Sequence, residues 1–141
     1  MHIDIEDEDV RARYDDQDGL WQRLILEKDS DGPILSGDSI YLRAHTGKYI
    51  DVETAVARAR YDDHGDWQRF VIEKMEGGDI YNGDTIYLRA HTGKYIDVED
   101  DWVKARFDDM GDWQALTVEK LGDFLHRNHI LHPSIIIFIK Y

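Results

Sequence analysis

At 141 residues with no cysteine, the chain has the length of one domain and no means of forming a disulfide or a thiolate–zinc site. Against 17 basic residues stand 30 acidic ones, a formal charge of −13 that repels phosphate backbones and anionic lipid and argues against nucleic acid as a partner. The longest apolar run, residues 135–139, is far too short to span a bilayer, so no membrane insertion is expected.

Met1 leads straight into acidic residues, with neither a basic nor an apolar leader. No signal peptide is therefore expected, and a cytoplasmic monomer is the starting assumption. Ile3-Asp4-Ile5-Glu6 reads as a first strand, and Ala12-Arg13-Tyr14 leads into the acidic turn Asp15-Asp16-Gln17-Asp18-Gly19. Trp21-Gln22-Arg23 then opens the strand that runs to Glu27-Lys28.

From there the chain repeats itself. Residues 41–53 recur letter for letter as residues 87–99, 46 positions on. Each copy reads as four short strands with period-2 alternation, bounded by Gly and Asp. In the second copy these cover residues 40–45, 49–53, 56–61 and 67–73, with a Thr46-Gly47 turn between the first two. The acidic turn returns as Asp62-Asp63-His64-Gly65-Asp66 and again as Asp108-Asp109-Met110-Gly111-Asp112.

Three copies of four strands make twelve, the strand count of a β-trefoil. Residues 1–141 are therefore expected to form one all-β β-trefoil domain, with copies at roughly 1–38, 39–84 and 85–141. The N-terminal copy begins at its second strand, so the missing strand must come from the tail. Residues 134–141, rich in isoleucine, are expected to supply it by pairing beside residues 3–6 and closing the barrel.

The candidate site is the acidic turn with the tryptophan that follows it: Asp16, Asp18 and Trp21; Asp63, Asp66 and Trp67; Asp109, Asp112 and Trp113. Three readings stay open. Asp and Gly suit tight turns by themselves. Carboxylates beside an aromatic ring also suit a sugar, accepting its hydroxyl hydrogen bonds while the ring covers a C–H face. Clustered carboxylates could hold calcium, although the spacing is not that of an EF-hand loop, and no other cofactor is implied.

For the three tryptophans, packing in the core competes with ligand contact. Trp102 stands where other copies carry valine, Val10 and Val56, and reads as a packing residue. Tyr41, Arg43 and His45, with Tyr87, Arg89 and His91, are expected to point outward and pair across strands. Arg11, Arg13, Arg58, Arg60, Lys104 and Arg106 are expected to answer neighbouring carboxylates at the surface, at little gain each. His126, His129 and His132 read as a solvated loop.

No Gly-x-Ser-x-Gly elbow, phosphate-cradling glycine loop or cysteine nucleophile is present. A catalytic carboxylate pair needs two unlike environments, whereas near-identical copies repeat one environment. The chain is thus expected not to be an enzyme.

Gly83-Asp84-Thr85-Ile86-Tyr87-Leu88-Arg89-Ala90, Thr92-Gly93-Lys94-Tyr95-Ile96 and Gly111-Asp112-Trp113-Gln114 resemble the fascin-like repeat, a family with the hisactophilin-like β-trefoils in its broad group. The resemblance implies a non-catalytic binding module. Carbohydrate binding at repeated weak sites is the first expectation. An actin- or protein-binding module, or a structural trefoil without a ligand, is the alternative. The Gln-x-Trp order of ricin-type lectins is absent, since Trp precedes Gln here.

Overall fold

The structure, a computed structural model, describes residues 1–14, 19–121 and 130–141. The protein is all-β, with 52% strand and 5% helix among the described residues. In chain order the strands are β1 (His2–Glu6), β2 (Asp9–Tyr14), β3 (Leu24–Glu27), β4 (Ser39–Ala44), β5 (Tyr49–Val52) and β6 (Ala57–Tyr61). They continue as β7 (Phe70–Glu73), β8 (Thr85–Ala90), β9 (Tyr95–Glu99), β10 (Trp102–Phe107), β11 (Leu116–Lys120) and β12 (Ile135–Lys140).

Alternation decides which side chains enter the core. Leu24 and Leu26 of β3, Phe70 and Ile72 of β7, and Leu116 and Val118 of β11 are buried, while the residues between them are half-buried. One continuous cluster joins these to Ile3, Leu42, Ile50, Leu88, Ile96 and Ile139. Burying a side chain of this size stabilises by about 1.5–3 kcal/mol.

The strands do not close as the expected β-trefoil. Ten of them form an antiparallel ring in the order β12, β3, β4, β5, β6, β2, β10, β9, β8, β11 and back to β12. The result is a ten-strand barrel with two extra strands, β1 and β7. The physical reason lies in what a repeat encodes. Alternation and turn residues specify hairpins within a copy, such as β5–β6 and β9–β10. Closure depends on pairings between strands that the repeat does not rank. Two of these are single ladder contacts between copies: Asp9↔Arg58 for β2–β6 and Trp102↔Arg11 for β2–β10.

The tail also pairs differently from expectation. β12 runs along β3 through Ile135, Ile136 and Ile137 and along β11 through Ile137 to Lys140. Its ladder contact with β1 is confined to His2↔Lys140. The chain ends meet there, the Met1 ammonium donating to the Tyr141 carbonyl at 3.0 Å.

At the two Thr-Gly-Lys turns the glycine is required by the backbone. Gly47 and Gly93 sit at φ 88° and 87°, a left-handed conformation that a side chain disfavours. Among the described residues no helix is long and apolar enough to cross a membrane.

Candidate functional site

Three of the hairpins carry a β-bulge at one place. The register slips between His2 and Ile3, between Tyr49 and Ile50, and between Ala105 and Phe107. The unpaired residue in each case is an arginine: Arg13, Arg60 or Arg106. A bulge re-aims its side chain and frees a backbone N–H from the ladder. Here a buried aspartate answers both. Asp51 accepts from the Arg60 backbone N–H at 3.3 Å and from its guanidinium at 2.7 Å. Asp97 accepts from Arg106 in the same manner, at 3.1 and 2.6 Å. In the first copy Arg13 Nη2 donates to Asp4 at 2.6 Å.

All three aspartates are fully buried. A buried carboxylate is tolerated because it is paired and hydrogen-bonded. A second, more exposed carboxylate completes each set: Glu6 at 3.1 Å, Glu53 at 3.2 Å and Glu99 at 3.0 Å. The hydrogen bond from Asp51 holds the Arg60 pKa above its ordinary value, against burial, which lowers it. Asp97 does the same for Arg106.

Arg60 and Arg106 then each support a pair of rings. Arg60 Cζ lies 5.0 Å from the Tyr61 ring centre and 5.9 Å from that of Trp67. The two rings are 6.3 Å apart and tilted by 45°. In the next copy Arg106 stands 5.1 and 5.9 Å from Phe107 and Trp113, whose rings are 6.2 Å apart and tilted by 52°. These distances are those of cation–π contacts.

The tryptophan is turned outward by a tight turn. Gln22, Gln68 and Gln114 each send a backbone N–H to the carbonyl of the glycine three residues earlier, at 3.1–3.2 Å. The glutamine side chains fold beneath the turn and are buried. Gln114 Oε1 accepts from the Gly111 N–H at 3.0 Å. A Cβ on Gly65 or Gly111 would lie 2.8 or 3.0 Å from the glutamine Oε1, so a larger residue there would have to push that side chain aside.

Two equivalent open clefts of about 320 and 330 Å³ result. One is lined by Tyr61, Asp63, Gly65, Asp66, Trp67 and Gln68. The other is lined by Phe107, Asp109, Gly111, Asp112, Trp113 and Gln114. The structure thus brings six of the nine expected site residues together as two triplets. Of the third triplet, Asp16 and Asp18 lie outside the described residues, and Trp21 is exposed like its counterparts.

Core packing of the tryptophans is not what the structure shows. Trp21, Trp67 and Trp113 are 39%, 38% and 43% exposed, and the turn places Trp67 and Trp113 against the arginine rather than under the barrel. Trp102 is 50% exposed, with Arg11 Cζ 4.1 Å from its ring centre. Its slot in the first copy holds Asp9 rather than Val10. Asp9, Val56 and Trp102 make the equivalent cross-copy bridges, and Val10 is in the core.

Tyr41 and Tyr87 are buried rather than outward. Each packs edge to face on a second buried tyrosine, Tyr49 or Tyr95, which donates a hydrogen bond to Glu27 or Glu73. His64 covers Tyr41, its ring stacked at 3.9 Å, and reaches Glu27, Asp29 and Tyr49 at 3.0–3.1 Å. Met110 takes its place in the third copy. His126 and His129 lie outside the described residues, and His132 is exposed.

Among the described residues no group of three or more His, Cys, Asp or Glu side chains is placed to hold a metal ion. The chemistry on offer is flat apolar faces beside carboxylates, in an assembly anchored by buried ion pairs. The chain matches no family model and no curated protein.

The sequence reading paired these arginines with nearby carboxylates but placed the pairs at the surface, whereas their aspartates are buried, and a signal for that was present. Asp4 and Arg13, Asp51 and Arg60, and Asp97 and Arg106 are each nine residues apart. An aspartate flanked by inward aliphatics in every copy, always with an arginine at that distance, marks a buried pair.

Proposed function

We propose that the chain is a non-catalytic binding module that takes carbohydrate at its repeated aromatic–acidic clefts. The observation that carries this reading is the recurrence of one assembly: a tryptophan held face-out beside two aspartates, with its supporting arginine tied to a buried aspartate. An exposed ring so firmly supported loses little freedom on binding. It can cover the C–H face of a sugar while Asp63 or Asp109 accepts hydroxyl hydrogen bonds. Single sites of this kind are weak, and two on one barrel raise the avidity for a polymer.

Retention on insoluble polysaccharides, with calcium and with a chelator, tests the reading. The wild-type chain should be retained, and the Trp67→Ala/Trp113→Ala double variant should pass through. A wild-type chain retained on no polysaccharide under either condition removes the proposal. Parallel co-sedimentation with actin filaments asks whether the fascin-type alternative takes its place.

A further inference from the structure

The two clefts share a plan but not a rim. Asp66 is ion-paired with Arg69 at 3.2 Å. The residue equivalent to Arg69 is Ala115, so Asp112 lacks that partner. Phe107 replaces Tyr61, removing a hydroxyl and leaving a ring 41% exposed. In both clefts the deeper aspartate leans over the glycine. Asp63 and Asp109 Oδ2 come within 3.2 Å of where a Cβ on Gly65 or Gly111 would sit. Arg106, the one cation against the Phe107 and Trp113 rings among the described residues, is already matched by Asp97 and Glu99 and does not offset Asp109 or Asp112.

We propose that the clefts select cationic sugars, those carrying a free amine, and that the Phe107–Trp113 cleft takes them more tightly than the Tyr61–Trp67 cleft. This rests on the carbohydrate reading above and specifies its ligand class. Arg60 and Arg106 already stand against both rings of each pair, so an arriving ammonium has the solvent-exposed tryptophan face, where it gains one cation–π contact. In the Phe107–Trp113 cleft it also meets Asp109 and Asp112, neither of them held by an arginine as Asp66 is by Arg69. A neutral sugar makes the same ring contacts without the charge term. A uronate or sulfated sugar is repelled by the cleft and by the net charge of −13. With one exposed ion pair and one cation–π contact as the difference, the free amine should bind about tenfold tighter than its N-acetylated counterpart.

The test is calorimetric titration with three oligosaccharides of equal length: a glucosamine oligomer, its N-acetylated form and a uronate oligomer. The proteins are wild type, Ala115→Arg and the Trp67→Ala/Trp113→Ala double variant. Arginine already occupies the equivalent position 69, so Ala115→Arg is compatible with the fold. The expected result is a preference for the amine over the acetylated form. Ala115→Arg should weaken the tighter amine site several-fold while leaving the acetylated sugar unchanged, and the double variant should bind neither. Equal affinity for the amine and acetylated forms, or binding of the uronate, overturns the inference but leaves carbohydrate binding standing. Undiminished amine binding by the double variant also overturns it, since bulk charge attraction would then be the cause. Binding of none of the three oligomers, together with no polysaccharide retention, overturns the carbohydrate reading itself.

Discussion

Replacing Asp51 by alanine removes the group that holds one cleft to the barrel. The carboxylate is fully buried and accepts both the bulge N–H of Arg60 and its guanidinium. Its loss leaves the N–H without its acceptor and the arginine with only the half-exposed Glu53. Breaking a buried pair by deleting one partner costs about 3–5 kcal/mol. Unfolding entropy is about 2.1 cal/mol/K per residue, so 141 residues give about 0.3 kcal/mol per degree near the midpoint. The midpoint of thermal unfolding, followed by circular dichroism, should therefore fall by about 10–17 °C. Asp97→Ala should cost as much, because its geometry is the same. Glu53→Ala is the control. As an exposed partner it contributes no more than about 1 kcal/mol, or about 3 °C. If Asp51→Ala melts within about 3 °C of wild type, or Glu53→Ala falls as far as Asp51→Ala, the buried anchor is not what holds the bulge.

Gly111→Ala should cost about 1–3 kcal/mol, because its Cβ would meet Gln114 Oε1 at 3.0 Å and displace the acceptor of the Gly111 N–H. A denaturant midpoint equal to wild type would count against that close approach. Alkaline stability should follow the buried tyrosines whose hydroxyl pKa burial raises, Tyr49 and Tyr95 together with Tyr41. Burial pushes the Tyr49 hydroxyl up to about 12, with its hydrogen bond to Glu27 adding to the shift, and Tyr95 is raised by burial and Glu73. A pKa raised on folding means stability fully present below pH 10 and lost as the pH climbs from 10 towards about 12. Melting temperatures across that interval should drop in wild type and drop less in Tyr49→Phe/Tyr95→Phe. An equal drop in both would assign the alkaline loss to other groups.

Much of the local structure was legible because the repeat exposes what each position must do. Identical residues at 41–53 and 87–99 fold into identical hairpins, and the Gly at 47 and 93 marks a backbone only glycine adopts readily. The closure was not legible. It turns on single contacts such as Asp9↔Arg58 and Trp102↔Arg11, too small to leave a pattern in the chain. Tyr41 and Tyr87 misled for a related reason. Alternation places them opposite the core face, and only the fold shows that a neighbouring tyrosine, and for Tyr41 the ring of His64, cover that face too. For the clefts the residues were visible and their support was not. A bulge cannot be read from alternation, because the slipped residue still looks like an outward member of its strand.

The support explains why the copies vary where they do. Asp, bulged Arg, Trp, Gly and Gln are each tied to a buried partner or a close approach, so any substitution there disturbs the core as well as the cleft. Positions 61 and 107, and 69 and 115, border the clefts at the surface, and a change there costs little stability, whereas His64 also covers buried Tyr41. These positions, with 64 and 110, are also where the second and third copies differ around the turn: Tyr for Phe, His for Met, Arg for Ala. A fixed frame with a variable rim lets one barrel hold sites of different charge without refolding. Exchanging Arg69 and Ala115 should therefore exchange ligand preference between the clefts while leaving thermal stability within about 0.5 kcal/mol.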